Sequence, residues 1–249
     1  MQEKAPSPDL SALAASLSGL ATLCWKQGKY EETKSLYQRA ITLQEKILGP
    51  DHPDLAASLN NMAGLYIERH EYKEAERLIK RAITIGKKVF GPDDPQLASR
   101  FTHLASLNVY QGKYKAAERL YHRAISMEEK ILGFEHPELM YPLGGLALLY
   151  LVEGKYEKAE RLYHRAIAIA EKTLDPEHPK LANILNNLAS IYVFQDRHKE
   201  AEQLYRRAIT IGVKAWDSEY PDLVTYRENL ENLQHRRTSN KLKQASSSE

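Results

Sequence analysis

The chain has 249 residues, of which 43% are apolar and 27% are charged, and this balance is typical of a folded protein with a buried core. Its formal net charge of +2 disfavours a nucleic-acid or membrane-binding surface, because such surfaces are usually strongly basic over a whole face. Cys24 is the single cysteine, so an internal disulfide is excluded.

Two further features of the sequence suggest where the protein works. The N-terminal residues lack the basic start and following apolar segment of a secretory signal. Nowhere in the sequence do about 18 consecutive apolar residues occur, as a membrane-spanning helix would require. A single cysteine suits a reducing compartment. We therefore expect a cytoplasmic protein without a membrane-spanning segment.

The first predicted elements follow a polar start. Residues 1–8 carry two prolines and are predicted to be disordered. From residue 9, Leu13, Leu17, Leu20 and Cys24 are spaced as one apolar stripe of an amphipathic helix. A second helix is predicted after the break at Gly28, so the opening unit consists of two antiparallel helices.

One motif then recurs along the chain. The sequence GKYKAAERLYHRAI begins at Gly112, and related sequences begin at residues 28, 70, 154 and 196, so successive starts differ by 42 residues. A fixed period of this size indicates a stacked array of repeated units. The predicted array covers residues 9–236 and consists of repeats 9–50, 51–92, 93–134, 135–176 and 177–218 with a capping helix at 221–236. Residues 237–249 are Ser- and Lys-rich and are predicted to be disordered.

The junctions between repeats support these boundaries. Gly49-Pro50-Asp51-His52-Pro53 provides a glycine suited to a helix C-terminus and a proline suited to the first turn of the next helix. Similar sequences start at residues 91, 133, 175 and 217.

The core pattern also repeats. In the second copy the predicted core positions are Leu59, Met62, Ala63 and Tyr66 on the first helix and Ala75, Ile79 and Ala82 on the second. Ala63 and Ala75 allow the two helix backbones to approach each other. The third and fourth copies carry equivalent residues at the same offsets, including Phe101, Tyr121, Leu143 and Tyr163.

This pattern resembles the tetratricopeptide repeat family. The period of 42 residues, the sequences LNNMA at Leu59 and LNNLA at Leu185, and the GPDHP junction resemble in particular the repeats of kinesin light chains. The resemblance implies an all-α, right-handed superhelical solenoid of antiparallel helix pairs, with five repeats and a C-terminal capping helix. It also implies a non-enzymatic scaffold or adaptor for protein–protein interaction, which binds an extended peptide in a concave groove lined by the first helices.

The family register assigns residues to that groove. Asn61 and Asn187 match the position whose amide holds a peptide backbone, and Asn229 stands at the same offset. A side-chain amide both donates and accepts hydrogen bonds, so it can pair with a peptide without reading its sequence. The other candidate groove residues are His103, Asn60, Asn186, Asn183, Tyr141, Gly145 and Tyr110, with Ser190 and Phe194 in neighbouring rows. The alternative interpretation is that these polar side chains only solvate an exposed helix face.

The fourth repeat departs from the others at Tyr141-Pro142-Leu143-Gly144-Gly145. A proline inside a helix removes a backbone hydrogen bond and clashes with the preceding turn. We therefore expect a late helix start or a kink at Pro142, with Gly144 and Gly145 forming a floor that a ligand can approach. The alternative is that the fold tolerates these residues without a functional reason.

The sequence gives little support for catalysis, a cofactor or a metal site. His52, His136 and His178 lie in repeat junctions, one or more repeat intervals apart, whereas metal sites need clustered ligands. The pairs Glu76–Lys80 and Glu202–Arg206 are predicted to support an exposed outer helix face. No phosphate-binding loop or nucleophile motif stands apart from the repeats.

The sequence leaves two other functions open. The opening helix presents Ala12, Leu13, Ala14, Ala15 and Leu17 and could pair two copies, so the expected state is a monomer or a weak homodimer through this end. A second alternative is a regulatory subunit of a larger enzyme or signalling complex. RNA reading by helical repeats is disfavoured by the near-neutral charge.

Overall fold

The computed structural model describes residues 8–92, 94, 96–216 and 218–246, and these residues form eleven α-helices and one short 3-10 turn, with no strand among them. The helices are α1 Pro8–Lys26, α2 Tyr30–Leu48, α3 Pro53–Glu68, α4 Tyr72–Phe90, α5 Gln96–Tyr110, α6 Tyr114–Leu132, α7 Met140–Val152, α8 Tyr156–Thr173, α9 Pro179–Phe194, α10 His198–Ala215 and α11 Pro221–Ser246. The chain divides into two compact units at residues 131 and 132. Unit 1 contains α1 to α6, and unit 2 contains the 3-10 turn and α7 to α11.

Within each unit, consecutive helices form pairs, and each pair packs on the next. In unit 1, α1 packs on α2 and α3 on α4, while α2 contacts α3 and α4 contacts α5. In unit 2, α7 packs on α8 and α9 on α10, while α8 contacts α9 and α10 contacts α11. The predicted all-α fold of five helix pairs and a final helix is confirmed for the described residues.

The core lies between the helices of each pair and between neighbouring pairs. Leu59, Met62, Ala63, Ala75 and Ile79 are all buried, as predicted, and the predicted positions of the fourth copy are buried as well. The packing agrees with the spacing because residues three and four apart share one face of a helix.

The apolar stripe of the first helix is only partly buried. Leu17 and Cys24 of this stripe are buried, whereas Leu13 and Leu20 are both 46% exposed. Their counterparts on α3, Leu55 and Met62, are buried because α3 packs on both α2 and α1. No described helix packs on α1 from the corresponding side, so its outer leucines stay accessible.

The turn inside each helix pair has a left-handed residue at its centre. These residues are Gly28, His70, Gly112, Gly154 and Asp196, with φ between 59° and 72°. At Gly112 the two bonds of a Schellman motif are present, from Gly112 N to Val109 O (3.0 Å) and from Lys113 N to Asn108 O (2.7 Å). The recurring sequence motif therefore starts at the residue that ends the first helix of each pair.

The histidines of the repeat junctions are helix N-caps. The Nδ1 atoms of His52, His136 and His178 accept hydrogen bonds from the backbone N–H groups of Asp54, Glu138 and Lys180, at 3.1 to 3.3 Å. In each case a proline follows at the first helical position, where its missing N–H costs nothing. The repeat period places these histidines where they satisfy a free donor at a helix start.

The fourth repeat begins with a 3-10 turn, Pro137–Leu139, and its α-helix starts only at Met140. In the second and fifth repeats the α-helix starts directly at Pro53 and Pro179. Pro142 is thereby the third residue of α7, where a backbone N–H would have no partner within the helix. The predicted late helix start is confirmed.

The end of the chain differs from the prediction. The capping helix was expected to end at residue 236, but α11 continues to Ser246, so the prediction of disorder is wrong for residues 237–246. Residues 1–7 and 247–249, also predicted to be disordered, lie outside the described residues.

None of the helices that the structure describes is long and apolar enough to cross a membrane. The described residues also contain no group of three histidine, cysteine or acidic side chains that could hold a metal ion.

Candidate functional site

The surfaces of the first helices of the pairs carry the candidate binding residues. We call them the first-helix faces, formed by α3 and α5 in unit 1 and by α7, α9 and α11 in unit 2. Polar contacts cross from one first helix to the next at a spacing of 43 residues, as in Asn60 to His103 and Asn186 to Asn229. A residue on one first helix therefore faces the residue 43 positions later on the next.

In unit 1, Asn60 and His103 bind each other. Asn60 is buried, and its Oδ1 lies 3.0 Å from Nδ1 of the partly buried His103 ring. Burial lowers the pKa of His103, which favours the neutral ring. Because a carbonyl oxygen only accepts, Nδ1 of His103 donates this bond. Both side chains thus connect α3 to α5.

Asn61, the predicted peptide-binding asparagine of unit 1, has a partner within the protein. Its side chain hydrogen-bonds Tyr37, whose hydroxyl also lies 2.9 Å from Oγ1 of Thr22. Burial raises the pKa of Tyr37, and these two bonds act in the opposite direction. Asn61 is partly exposed, but it also ties α3 to α2.

The surface near Asn61 is partly covered. The indole of Trp25 lies over Gly64, where an added Cβ would come within 2.7 Å of the ring. Nε1 of Trp25 donates to Oε2 of Glu68 at 2.6 Å, which holds the ring in place. The first-helix face of unit 1 is therefore occupied by a side chain of the protein itself at this point.

In unit 2, Asn187 has the same register position and fewer contacts. It is partly exposed, and its Oδ1 accepts a long bond of 3.5 Å from Nδ2 of Asn186. Within the described residues its own Nδ2 makes no hydrogen bond. Asn186 is buried and also accepts a bond of 3.1 Å from Nδ2 of Asn229. Asn187 therefore keeps a donor for a ligand, while Asn186 and Asn229 join α9 to α11.

Two predicted residues lie near the starts of the first helices of unit 2. Asn183 is exposed, and its Oδ1 accepts a hydrogen bond of 2.7 Å from the hydroxyl of Tyr226, whereas its Nδ2 lies 3.4 Å from Asp222. Tyr141 is exposed, and Nζ of Lys180 lies 4.4 Å from the centre of its ring. Each therefore contacts the next first helix from an accessible position.

Exposed aromatic rings stand at the ends of the first helices. Tyr110 is 57% exposed and stacks on Tyr72 with 5.5 Å between ring centres, and Phe194 is 60% exposed and stacks on Tyr156 at 5.8 Å. The stacks fix the rings without covering them. Such rigid aromatic surfaces lose little side-chain entropy when a partner binds.

Gly144 and Gly145 leave part of the α7 surface without side chains. Both are partly exposed, and a Cβ added at Gly144 would meet no atom within 4 Å. By the spacing of 43 residues, Gly144 faces Asn187 on α9. A ligand side chain can therefore come close to the backbone of α7 beside Asn187.

A cleft of about 800 Å³ lies between α9, α10 and α11. It is lined by Ser190, Val193, Phe194, Asp196, His198, Tyr205, Asn229, Asn232, Leu233, His235 and Arg236. This set includes three residues of the predicted groove rows, Ser190, Phe194 and Asn229. The cleft has the volume of a ligand site and combines an exposed aromatic ring with side-chain amides.

Polar groups inside the cleft are arranged around Tyr205. Its hydroxyl lies 3.0 Å from Oγ of Ser190. Burial raises the pKa of Tyr205, whereas the bond to Ser190 and the charge of Arg236 lower it. Nδ1 of His198 is buried and makes no hydrogen bond to any described residue. The cleft therefore offers donors and acceptors beside an apolar surface.

Sequence reasoning missed Asn232, His235 and Arg236. The predicted rows that contain Ser190 and Phe194 end with these residues, in the fifth repeat. The positions 42 residues after Ser190 and Phe194 are Asn232 and Arg236 on α11. The repeat period could therefore have identified these two residues. The cleft itself was not visible in the sequence because it depends on where α11 lies against α10.

Comparison with known proteins agrees with this architecture. Family models described as "Tetratricopeptide repeat" match residues 12–88, 54–130 and 138–212, and a second such model matches residues 103–172. The chain belongs to the tetratricopeptide repeat family. A search of curated proteins found no match.

Solved structures refine this class. A Podosopora anserina protein described as a putative kinesin light chain with nearly identical TPR-like repeats is 26% identical; the match covers 85% of this chain and 100% of that one, with a TM-score of 0.63. A point variant of the same protein is also 26% identical, with coverage of 84% and 98% and a TM-score of 0.64. BtubC (BKLC) from P. vanneervenii shares the fold at 23% identity, with coverage of 85% and 83% and a TM-score of 0.68. The repeats are thus of the kinesin-light-chain type.

These findings define the general role of the chain. Tetratricopeptide repeats are in general scaffolds for protein–protein interaction, and proteins of this type are typically non-enzymatic.

Proposed function

We propose that the chain is an adaptor that holds an extended segment of a partner protein against the first-helix face of unit 2. The segment lies across α7, α9 and α11, beside Asn187, and reaches the cleft at Phe194. The single observation that carries this proposal is the cleft of about 800 Å³, in which residues from three of the predicted groove rows meet.

The chemistry of this face suits a peptide backbone. The free Nδ2 of Asn187 can donate to a peptide carbonyl, and the amides of Asn229 and Asn232 lie further along the same path. Amide pairs of this kind bind main chain and leave side-chain selectivity to other contacts. An extended segment provides such free main-chain groups along its whole length.

Apolar contacts would supply most of the affinity. Phe194 is exposed and rigidly stacked on Tyr156, and Val193 and Leu233 line the same cleft. Truncating one such anchor commonly weakens binding by at least about tenfold, which corresponds to about 1.4 kcal/mol. The low floor at Gly144 and Gly145 leaves room for the rest of the segment.

Unit 2 is a better candidate than unit 1 for two reasons. Asn61 is engaged with Tyr37, and Trp25 covers Gly64 beside it. Asn187 and Gly144, in contrast, have no such cover. A ligand on unit 1 would have to displace an existing contact, which costs binding free energy.

The test is a selection from a library of displayed random peptides with the purified full chain as bait. Enriched peptides are then measured against Asn187→Ala and Phe194→Ala. The matched controls in the same unit are Gln203→Ala, an exposed amide on α10, and Phe134→Ala, an exposed phenylalanine in a repeat junction.

We expect each groove variant to weaken binding at least about tenfold and each control to bind like the wild type. If no peptide is enriched, or if enriched peptides bind both groove variants as tightly as the wild type, the first-helix face of unit 2 is not the binding surface.

A further inference from the structure

The outer side of α1 is an exposed apolar surface in unit 1. Leu13 and Leu20 are each 46% exposed, and Leu23 is 56% exposed. From Leu10 to Trp25 the sequence contains no charged residue. Contiguous apolar surfaces of this kind are uncommon on monomeric proteins and often mark an interface.

The same positions are contact positions elsewhere in the fold. Leu13 corresponds to Leu55 and Leu97 in the next two pairs of unit 1, and both of these are fully buried. Leu20 corresponds to Met62, which is buried as well. This side of a first helix is therefore shaped to be covered by other helices of the same kind.

A shallow groove of about 430 Å³ runs between α1 and α2 on this side. It is lined by Leu13, Leu17, Ser35, Gln38, Arg39, Thr42, Leu43 and Lys46. One repeat later, the counterpart of Arg39, Arg81, binds Glu45 of the preceding repeat, and the counterpart of Lys46, Lys88, binds Asp51 at the repeat junction. The groove thus has the polar rim and apolar floor of a contact between repeats.

We propose that this surface binds a second copy of the chain, with α1 of one protomer lying in the α1/α2 groove of its partner. The exposed Leu13 and Leu20 stand seven residues apart, which places them on one side of α1, as in a helix–helix seam. Because α1 carries no charge from Leu10 to Trp25, the two α1 helices meet without like charges facing each other. Arg39 and Lys46 form a basic rim on this groove. The aliphatic parts of their side chains would contact the helix of the second copy on either side.

The available area indicates a weak dimer. A helix of 19 residues is about 28 Å long, and two neighbouring helices present a surface about 18 to 20 Å wide. The interface would therefore bury roughly 500 to 600 Å² on each protomer, near the lower limit for a specific complex. Assembly should accordingly depend on concentration.

The sequence had suggested Ala14 and Leu17 as part of this surface, but Ala14 is buried inside unit 1, and Leu17 is largely buried as well. The exposed contact residues are Leu13, Leu20 and Leu23. This proposal is independent of peptide binding on unit 2.

The test is sedimentation equilibrium of the full chain between about 1 and 200 μM. We expect the average mass to rise from the monomer value of 28.4 kDa towards twice that value over this range. Leu13→Glu/Leu20→Glu should stay monomeric throughout. The control Val89→Glu/Val213→Glu places the same charges at similarly exposed apolar sites and should associate like the wild type.

Leu13→Ala/Leu20→Ala is measured as well, because it removes contact area without introducing charge, and its dissociation constant should rise at least about tenfold. Circular dichroism confirms the helical fold of each variant. A wild type that stays monomeric at 200 μM would overturn the proposal and leave this surface to a different occupant. Unchanged association of both leucine variants would place the dimer contact elsewhere.

Discussion

At the residue scale, the repeat period assigns one backbone conformation to each position, and a few residues fit that conformation better than others. The left-handed position of the pair turns holds glycine in three repeats, His70 in the second and Asp196 in the fifth. Residues with a Cβ pay a steric cost in this region, and glycine does not. The five copies therefore form a natural series for comparing that cost.

Gly112→Ala should lower the free energy of unfolding by about 1 to 2 kcal/mol, because alanine is strained at φ 70°. An added Cβ would meet no atom within 4 Å there, so only backbone strain is tested. Urea unfolding measures the change. The control Gly19→Ala adds a Cβ in open space within α1 and should stabilise the chain by roughly 0.5 to 1 kcal/mol. Equal effects of the two changes would show that strain at the turn is unimportant.

His103 should make stability depend on pH. Burial lowers its pKa in the folded state, so the unfolded chain binds this proton more readily. The contribution of neutral His103 to the free energy of unfolding is therefore fully present above the unfolded pKa of about 6.5. It is lost as the pH falls from there through the lower folded pKa.

His103→Gln keeps an N–H donor for Asn60 but cannot take up a proton. Urea unfolding at several pH values between about 7.5 and 5 should give a shallower loss of stability for this variant than for the wild type. A wild-type loss that is identical in the variant would assign the pH dependence to other groups.

The sequence predicted the positions of some site residues but not their contacts with each other. It assigned Asn187, Tyr110 and Phe194 to rows on the first helices, where Tyr110 and Phe194 are exposed and Asn187 is partly exposed. It did not reveal that Asn60 and His103 bind each other, because that contact joins different repeats at a spacing of 43 residues. A period of 42 residues identifies equivalent positions in different repeats, but it does not show which positions are in contact.

At the element scale, helix starts and ends follow short signals that recur in every repeat. Prolines at the first helical position and left-handed residues after the first helices fix the boundaries of most helices. The histidines before those prolines act as N-caps, which sequence reasoning considered only as metal ligands. Histidine is not among the preferred capping residues, so its position before a proline was the available signal.

His178→Ala should lower the free energy of unfolding by about 1 kcal/mol, because the N–H of Lys180 at the start of α9 then loses its acceptor. His178→Asn should retain the stability of the wild type, since asparagine is a strong N-cap. Thermal or urea unfolding of the three proteins measures both effects. An alanine variant as stable as the asparagine variant would contradict a capping role.

The two ends of unit 2 show where element prediction succeeds and fails. Pro142 predicted the late start of α7 because a proline has a definite steric effect. The extension of α11 to Ser246 was missed because residues beyond 236 lack a regular apolar pattern. Lysine, glutamine and alanine are compatible with a helix, so composition alone did not decide between helix and disorder.

At the scale of the whole molecule, the fold was predictable because every copy repeats the same core pattern, turn and junction. The binding surface was less predictable because it depends on residues that differ between copies, such as Gly144, Trp25 and Asn187. The fold is shared with the repeats of kinesin light chains, but a fold alone does not determine the ligand. The non-repeating residues of unit 2 are therefore the place to test function.

The most direct test is Gly144→Leu, measured with a peptide from the display selection. Gly144 lies on the floor of the proposed binding surface, and an added Cβ there meets nothing within 4 Å. Leucine should fill the space that the segment needs, while its better helix propensity leaves the free energy of unfolding equal or roughly 0.5 to 1 kcal/mol higher. The matched control is Ala168→Leu on the exposed face of α8.

Titration calorimetry and thermal unfolding are then compared for the three proteins. We predict that Gly144→Leu binds the peptide at least about tenfold more weakly without losing stability, whereas Ala168→Leu binds it like the wild type. A folded Gly144→Leu variant with unchanged peptide affinity would contradict binding on the first-helix face of unit 2.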